Sequence, residues 1–170
     1  MSSQTYYGSD THFDFTSQTF RARKRWSLEV DRFQEEINDP NITIDKSRMK
    51  DGHVRITVAN FQKSDHDLVI NVEISQDYPM WPPFVWIESP VLASKYTNLS
   101  FAMFTGVPCI QELTISGWSP TLNLAKTFLF VYSAVNENCT ISKYTSISRE
   151  EALKGAKSFR SAHSSWCKTK

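Results

Sequence analysis

The sequence predicts an α+β domain in which helices are segregated from an antiparallel sheet. Apolar residues recur at helical spacing near the start of the chain and twice in its second half. Between them lie three short segments of alternating apolar and polar residues, separated by polar turns, and a fourth strand behind a proline-rich stretch. At 170 residues, the chain is long enough to bury the core of one such domain.

Composition excludes several classes of protein. A formal net charge of +1 gives no electrostatic case for a nucleic-acid binder or a polybasic membrane anchor. No apolar run approaches the length of a membrane span, and the N-terminus lacks a signal-peptide core. The three cysteines form no C-x-x-C pair and cannot all pair internally, which indicates a reducing compartment and no structural zinc. We therefore expect a cytoplasmic or nuclear protein with no metal site and no cofactor.

The first helix is expected over about residues 19–38, after a flexible arm of residues 1–18 that shows no periodicity. Its apolar stripe consists of Trp26, Val30, Phe33 and Ile37. Its first turns carry the basic residues Arg21, Arg23, Lys24 and Arg25. Because the helix dipole does not favour cations there, the basic cluster is either a solvated face or a site for an acidic partner.

An antiparallel meander is predicted from strands near residues 42–45, 54–58 and 68–74, with a fourth strand at 84–87. The fourth strand follows the rigid crossing Y-P-M-W-P-P, whose three prolines cannot enter a central strand. His53 and His66 have no acidic or cysteine neighbour at ligand spacing, so both are expected to be ordinary surface residues. Residues 91–107 are expected to form a long irregular loop.

Cys109 follows Gly106 and Pro108, which predict that it lies outside any regular strand. A thiol in this position suits a nucleophile, and the position suits a small buried apolar residue equally well. Ser119 is expected to be the N-cap of the central helix, with Pro120 at the first helical position, and the helix is expected to run to about Val135. After a polar linker, a capping box at Ser148 opens the last helix. Cys139 and Cys167 are expected to be packing or surface thiols.

These motifs resemble those of the ubiquitin-conjugating enzymes over roughly residues 19–167. The stretch Y-P-M-W-P-P-F-V-W-I is similar to that family's Tyr-Pro-x-x-Pro-Pro-x-Val signature, and Cys109 with the later Trp118-Ser119-Pro120 resembles its nucleophile and helix start. The resemblance is closest to the Q-type branch, which also has nine residues from cysteine to tryptophan and a run like Ser-Pro-Val-Leu. Most of the family carries His-Pro-Asn about eight residues before the cysteine; here that position falls at Phe101.

The resemblance implies that Cys109 accepts ubiquitin or a ubiquitin-like modifier from an activating enzyme as a thioester. The modifier then passes to a lysine of a protein substrate, usually with a ubiquitin ligase. Asn98 or backbone amides would stabilise the oxyanion, and Glu137 would be the acid near the cysteine. By position in the family, Arg21, Lys24 and Arg25 would meet the activating enzyme. Met80 and Pro120 would meet a ligase.

Two other functions remain open from the sequence. The first is a catalytically inactive variant of the same fold that binds modifiers as a scaffold, which the missing His-Pro-Asn favours and Cys109 disfavours. The second is a related protein-interaction domain that shares the Tyr-Pro-x-x-Pro-Pro pattern but lacks the cysteine and the Trp-Ser-Pro motif.

Overall fold

The computed structural model describes residues 19–95 and 103–162, without the side chains of residues 104 and 158–162. Helix α1 spans Phe20–Ile37, close to the predicted range of 19–38, and its N-cap is Thr19, whose hydroxyl accepts a hydrogen bond from the Ala22 amide. Asn38 ends the helix in the left-handed conformation. The predicted apolar stripe of α1 faces the main core, and the predicted arm of residues 1–18 lies outside the described residues.

Four strands form the predicted antiparallel meander, in the order β1-β2-β3-β4. They are β1 (Ile42–Asp45), β2 (His53–Val58), β3 (Leu68–Glu73) and β4 (Phe84–Ser89). The register places Ile56 opposite Ile70, and Ile70 opposite Ile87. One face of the sheet is therefore continuously apolar, and α1 and the central helix pack against it.

The central helix, α2, spans Leu124–Asn138 and begins later than the sequence predicts. The assignment of Ser119 as N-cap and Pro120 as first helical residue is wrong, because a turn closes there through the Leu122 amide and the Ser119 carbonyl oxygen at 2.9 Å. The N-cap is Asn123, whose side chain accepts from the backbone of Lys126 at 2.9 Å. Contacts with α1 hold the preceding segment out of the helix.

Two small sheets occur in segments predicted to be an irregular loop and a polar linker. Strand β5 (Val91–Ser94) pairs with β8 (Cys139–Lys143), and β6 (Met103–Phe104) pairs with β7 (Val107–Pro108). The prediction is corrected on this point. Because the pairing of β5 with β8 joins segments far apart in the chain, no local periodicity in the sequence predicts it.

Helix α3 spans Arg149–Ala162 and packs on the opposite face of the sheet from α1. It begins at the predicted capping box, in which the Glu151 amide donates to the Ser148 hydroxyl at 3.2 Å and the Ser148 amide to the Glu151 carboxylate at 2.7 Å. Arg149 makes two hydrogen bonds of 2.6 and 2.7 Å to Glu73 of β3. With α3 in place, the first four residues of β4 are buried on both faces, which explains the uninterrupted apolar run at residues 84–87.

His53 is not the surface residue that the sequence predicts. Its ring stacks on Trp86 at 5.6 Å, and its Nε2 lies 2.8 Å from Oδ1 of the buried Asn71. Because the Asn71 amide group donates to Glu88 at 3.0 Å, its oxygen is left to accept, so His53 Nε2 carries the proton. Burial lowers the pKa of His53. His66, in contrast, is exposed as predicted.

Candidate functional site

Cys109 follows directly on β7 and lies half-buried outside any regular strand, as predicted. Gly106, three residues earlier, has a φ of +80°, and its carbonyl oxygen accepts from the Ile87 amide at 2.7 Å. A Cβ at this position would lie 2.7 Å from the Ile87 carbonyl oxygen, so both the dihedral and the space require glycine. The segment that carries the thiol is thereby held against β4.

The loop that follows the cysteine is tightly closed. After a short 3-10 helix at Gln111–Leu113, Thr114 donates to the Gln111 carbonyl oxygen through its amide at 3.0 Å and its hydroxyl at 2.7 Å. The Trp118 amide in turn donates to the Thr114 carbonyl oxygen at 2.8 Å. A Cβ at Gly117 would lie only 2.0 Å from the Gln111 carbonyl oxygen. Glycine is therefore required for this loop to close.

Trp118 connects this loop to the proline crossing. Its indole Nε1 donates to the Pro79 carbonyl oxygen at 2.8 Å, and its ring lies 6.3 Å from that of Tyr78. The Tyr78 hydroxyl donates to the Glu29 carboxylate at 2.5 Å. The crossing thus joins the segment after Cys109 to α1.

A groove of about 410 Å³ lies between the first turns of α1 and the proline crossing. It brings together three of the five residues predicted to bind partners, namely Arg21, Arg25 and Met80. Met80 is 69% exposed at its edge. Lys24 is exposed on the same turns of α1 but does not line the groove, and Pro120 is half-buried in the turn before α2.

The structure leaves the two remaining catalytic assignments untested. Glu137 is exposed near the end of α2, where its carboxylate accepts from the Ser133 hydroxyl at 3.0 Å and its carbonyl oxygen from the Lys95 ammonium at 3.0 Å. Asn98 lies outside the described residues, as does Phe101 at the expected His-Pro-Asn position. Both assignments stay predictions.

The second described thiol differs from the first. Cys139 is fully buried, and burial raises its pKa to about 11. Neither Cys109 nor Cys139 is in a disulfide, and Cys167 lies outside the described residues. Within residues 19–95 and 103–162, no cluster of three or more His, Cys, Asp or Glu could bind a metal ion. No helix in this part of the chain is long and apolar enough to cross a membrane.

Glu29 is a candidate site residue that the sequence did not predict. Its carboxylate accepts from Arg25 at 2.6 Å, from the Tyr78 hydroxyl, and from the Leu124 amide at 3.0 Å. The only signal in the sequence is its position four residues after Arg25, which equally describes an ordinary ion pair on a helix surface. Its contacts to distant elements could not be inferred from that spacing.

Comparison with solved structures identifies the fold. A ubiquitin-conjugating enzyme E2 from Plasmodium falciparum superposes with a TM-score of 0.51 at 19% sequence identity, covering 66% of this chain and 96% of that chain. A Plasmodium vivax ubiquitin-conjugating enzyme E2 gives a TM-score of 0.49 at 19% identity, covering 64% and 96%. No protein-family profile and no curated protein matches the sequence. The chain therefore has the ubiquitin-conjugating-enzyme fold, as the sequence predicts.

Proposed function

We propose that this protein is a ubiquitin-conjugating enzyme that carries ubiquitin, or a ubiquitin-like modifier, as a thioester on Cys109. The observation that carries the proposal is the half-buried Cys109, which leads into a glycine-closed loop ending in Trp118, within the fold of these enzymes. Cys139 is a poor alternative nucleophile, because it is fully buried and its pKa is raised.

The reaction proceeds in two acyl transfers. The Cys109 thiolate attacks the carbonyl carbon of the modifier's C-terminal glycine, a carbon–sulfur bond forms, and the thiolate of the activating enzyme leaves. A substrate lysine amine then attacks the same carbon and loses a proton to solvent. An isopeptide bond forms, and Cys109 leaves as thiolate. Orientation and oxyanion stabilisation carry most of the rate, so no strong base is needed beside the thiol.

The groove beside α1 supports a role in binding partners. Arg21 and Lys24 are exposed cations suited to an acidic surface of the activating enzyme. The exposed Met80, with Pro120 in the nearby turn, offers an apolar contact to a ligase. Membership of the Q-type branch and a cytoplasmic or nuclear location belong to the same proposal. The spacing from Cys109 to Trp118 supports the branch, and the odd number of cysteines without a C-x-x-C pair supports the location.

The test is a thioester assay. Incubated with activating enzyme, ATP and ubiquitin, the protein should form an adduct one ubiquitin heavier that is lost on reduction and is absent from Cys109→Ala. If no modifier forms this adduct when supplied with its own activating enzyme, the proposed function is wrong. In that case the inactive scaffold becomes the better hypothesis, and non-covalent ubiquitin binding should then be measured.

A further inference from the structure

Glu29 is a nearly buried carboxylate that joins three elements. Its side chain is 9% exposed, and its hydrogen bonds come from α1, the proline crossing and the first residue of α2. A buried charge is costly unless it is paired and hydrogen-bonded, and Glu29 meets both conditions. Its negative charge also lies at the N-terminus of α2, where the helix dipole favours it.

Arg25 completes this arrangement and differs from the other cations of α1. Its Nε donates to Glu29 and its NH2 group to the Leu122 carbonyl oxygen at 2.8 Å, while its guanidinium lies 5.6 Å from the Tyr78 ring centroid. Burial acts to lower the pKa of Arg25, but the hydrogen bond and charge of Glu29 outweigh it and raise the pKa. Arg21, in contrast, is exposed.

The segment between the cysteine's loop and α2 is held at three points, two of them through Arg25 and Glu29. Trp118 is bound through Pro79, Leu122 through Arg25, and Leu124 through Glu29. In a helix that began at Ser119, the Leu122 carbonyl oxygen would accept from the backbone amide four residues later. That amide, of Lys126, is instead bound by the side chain of Asn123. The Leu122 carbonyl oxygen is thereby left for Arg25.

We propose that Arg25 and Glu29 are a positioning pair, which sets the conformation of the segment between Cys109 and α2 and so the reactivity of the thioester. Arg25 binds this segment, whereas Arg21 and Lys24 are exposed and can contact the activating enzyme. This inference rests on the proposed function for the reaction it concerns. It replaces the partner role that the sequence resemblance implies for Arg25.

The test compares Glu29→Gln and Arg25→Gln with two controls from α1. Arg21→Gln removes an exposed cation from the same groove, and Glu36→Gln changes an exposed carboxylate that accepts from the Asn123 side chain at 2.9 Å. Three quantities are measured below the melting temperature. They are the alkylation rate of Cys109 by iodoacetamide, resolved by mass spectrometry, the single-turnover discharge of the thioester to free lysine, and the KM for charged activating enzyme.

Both positioning variants should alkylate Cys109 at least about threefold faster, because the chain that follows the half-buried thiol is less constrained, and should discharge the thioester roughly tenfold more slowly. Their KM should stay within about twofold of wild type, and Glu36→Gln should match wild type in every measurement. Arg21→Gln should raise KM and leave the alkylation rate unchanged. A purely structural role would lower the melting temperature without changing discharge from the folded protein.

If both positioning variants alkylate Cys109 and discharge the thioester at wild-type rates, the inference is wrong. If Arg25→Gln instead shows only a raised KM for charged activating enzyme, Arg25 binds that partner, as the sequence resemblance implies. If Glu29→Gln does not fold, Tyr78→Phe, which removes only the hydroxyl donor, should shift the same two rates in the same directions. If wild type accepts no modifier, the proposed function has failed. The alkylation comparison still decides the inference, because it needs neither modifier nor activating enzyme.

Discussion

Replacing Gly117 with alanine would add one methyl group at the tightest point of the loop after Cys109. Its Cβ would lie 2.0 Å from the Gln111 carbonyl oxygen, 1.4 Å closer than the 3.4 Å at which ordinary van der Waals contact begins. The two nearest atoms, the Gln111 carbonyl oxygen at 2.0 Å and carbonyl carbon at 2.7 Å, belong to the backbone, so no side-chain rotation relieves the clash. The loop must open by more than an ångström.

We expect Gly117→Ala to cost about 3 kcal/mol in free energy of unfolding, at the upper end for overpacking. For a domain of this size, this lowers the melting temperature by roughly 6–12 °C. Because the loop links Cys109 to Trp118, opening it also displaces the nucleophile. A misplacement of about an ångström can slow such a reaction by roughly 100-fold. Thermal melting and single-turnover thioester formation at 25 °C measure the two effects.

Ser116→Ala is the matched control, since it alters the neighbouring exposed residue and removes only a 3.3 Å contact with the Thr114 hydroxyl. It should melt and react like wild type. If Gly117→Ala is indistinguishable from this control in both measurements, the loop does not have the conformation described, and the reasoning from its closure fails.

Three further predictions concern parts of the fold away from this loop. Burial lowers the pKa of His53 by disfavouring the cation, so as the pH falls the unfolded chain binds this proton before the folded chain does. The free energy of unfolding should therefore fall as the pH drops from 7.5 to 5.5, and fall less in His53→Gln. With a pKa of about 11, Cys139 is thiolate in about one molecule in a thousand at pH 8, so iodoacetamide should modify Cys109 and spare Cys139 in the folded protein. Arg149→Gln should lower the free energy of unfolding, measured by urea denaturation, by about 1 kcal/mol. The effect is modest because the two hydrogen bonds from Arg149 to Glu73 are partly exposed to solvent.

Each of these predictions has its own control. His66→Gln, at an exposed position, should keep the wild-type pH dependence, and an unchanged dependence in His53→Gln would contradict the assignment. In urea both thiols should react, so protection of Cys139 must disappear on unfolding. If Arg149→Gln and the double variant Arg149→Gln/Glu73→Gln are both as stable as wild type, this ion pair does not hold α3 on the sheet.

Local signals predicted a large part of the fold correctly. The stripe of α1 and the alternation of β2 and β3 are repeated over several turns or residue pairs, so each signal is redundant. The capping box at Ser148 is similarly self-contained, because both of its hydrogen bonds lie within four residues. Cys109 lies outside a strand as predicted, although Pro108 itself ends β7, and Gly106 forms the turn before that strand with a positive φ.

The start of α2 shows where local signals fail. Ser119 followed by Pro120 is a favourable helix start, worth about 1 kcal/mol as a cap. The helix does not begin there, because two side chains of α1 bind the segment that follows. Arg25 donates to the Leu122 carbonyl oxygen, and Glu29 accepts from the Leu124 amide. Hydrogen bonds to charged groups are worth about 1.5–3 kcal/mol each, so the tertiary contacts outweigh the local preference.

By itself the sequence determined the α+β class, the meander, the first and last helices and the position of Cys109 in a loop, since each depends on residues close together in the chain. Only the tertiary structure decided where α2 begins, that β5 pairs with β8, that α3 covers the second face of β4, and that His53 is partly buried beneath Trp86. These features depend on which distant surfaces meet. These long-range contacts are determined by packing and by the pairing of buried charges, and neither produces a periodic pattern in the sequence.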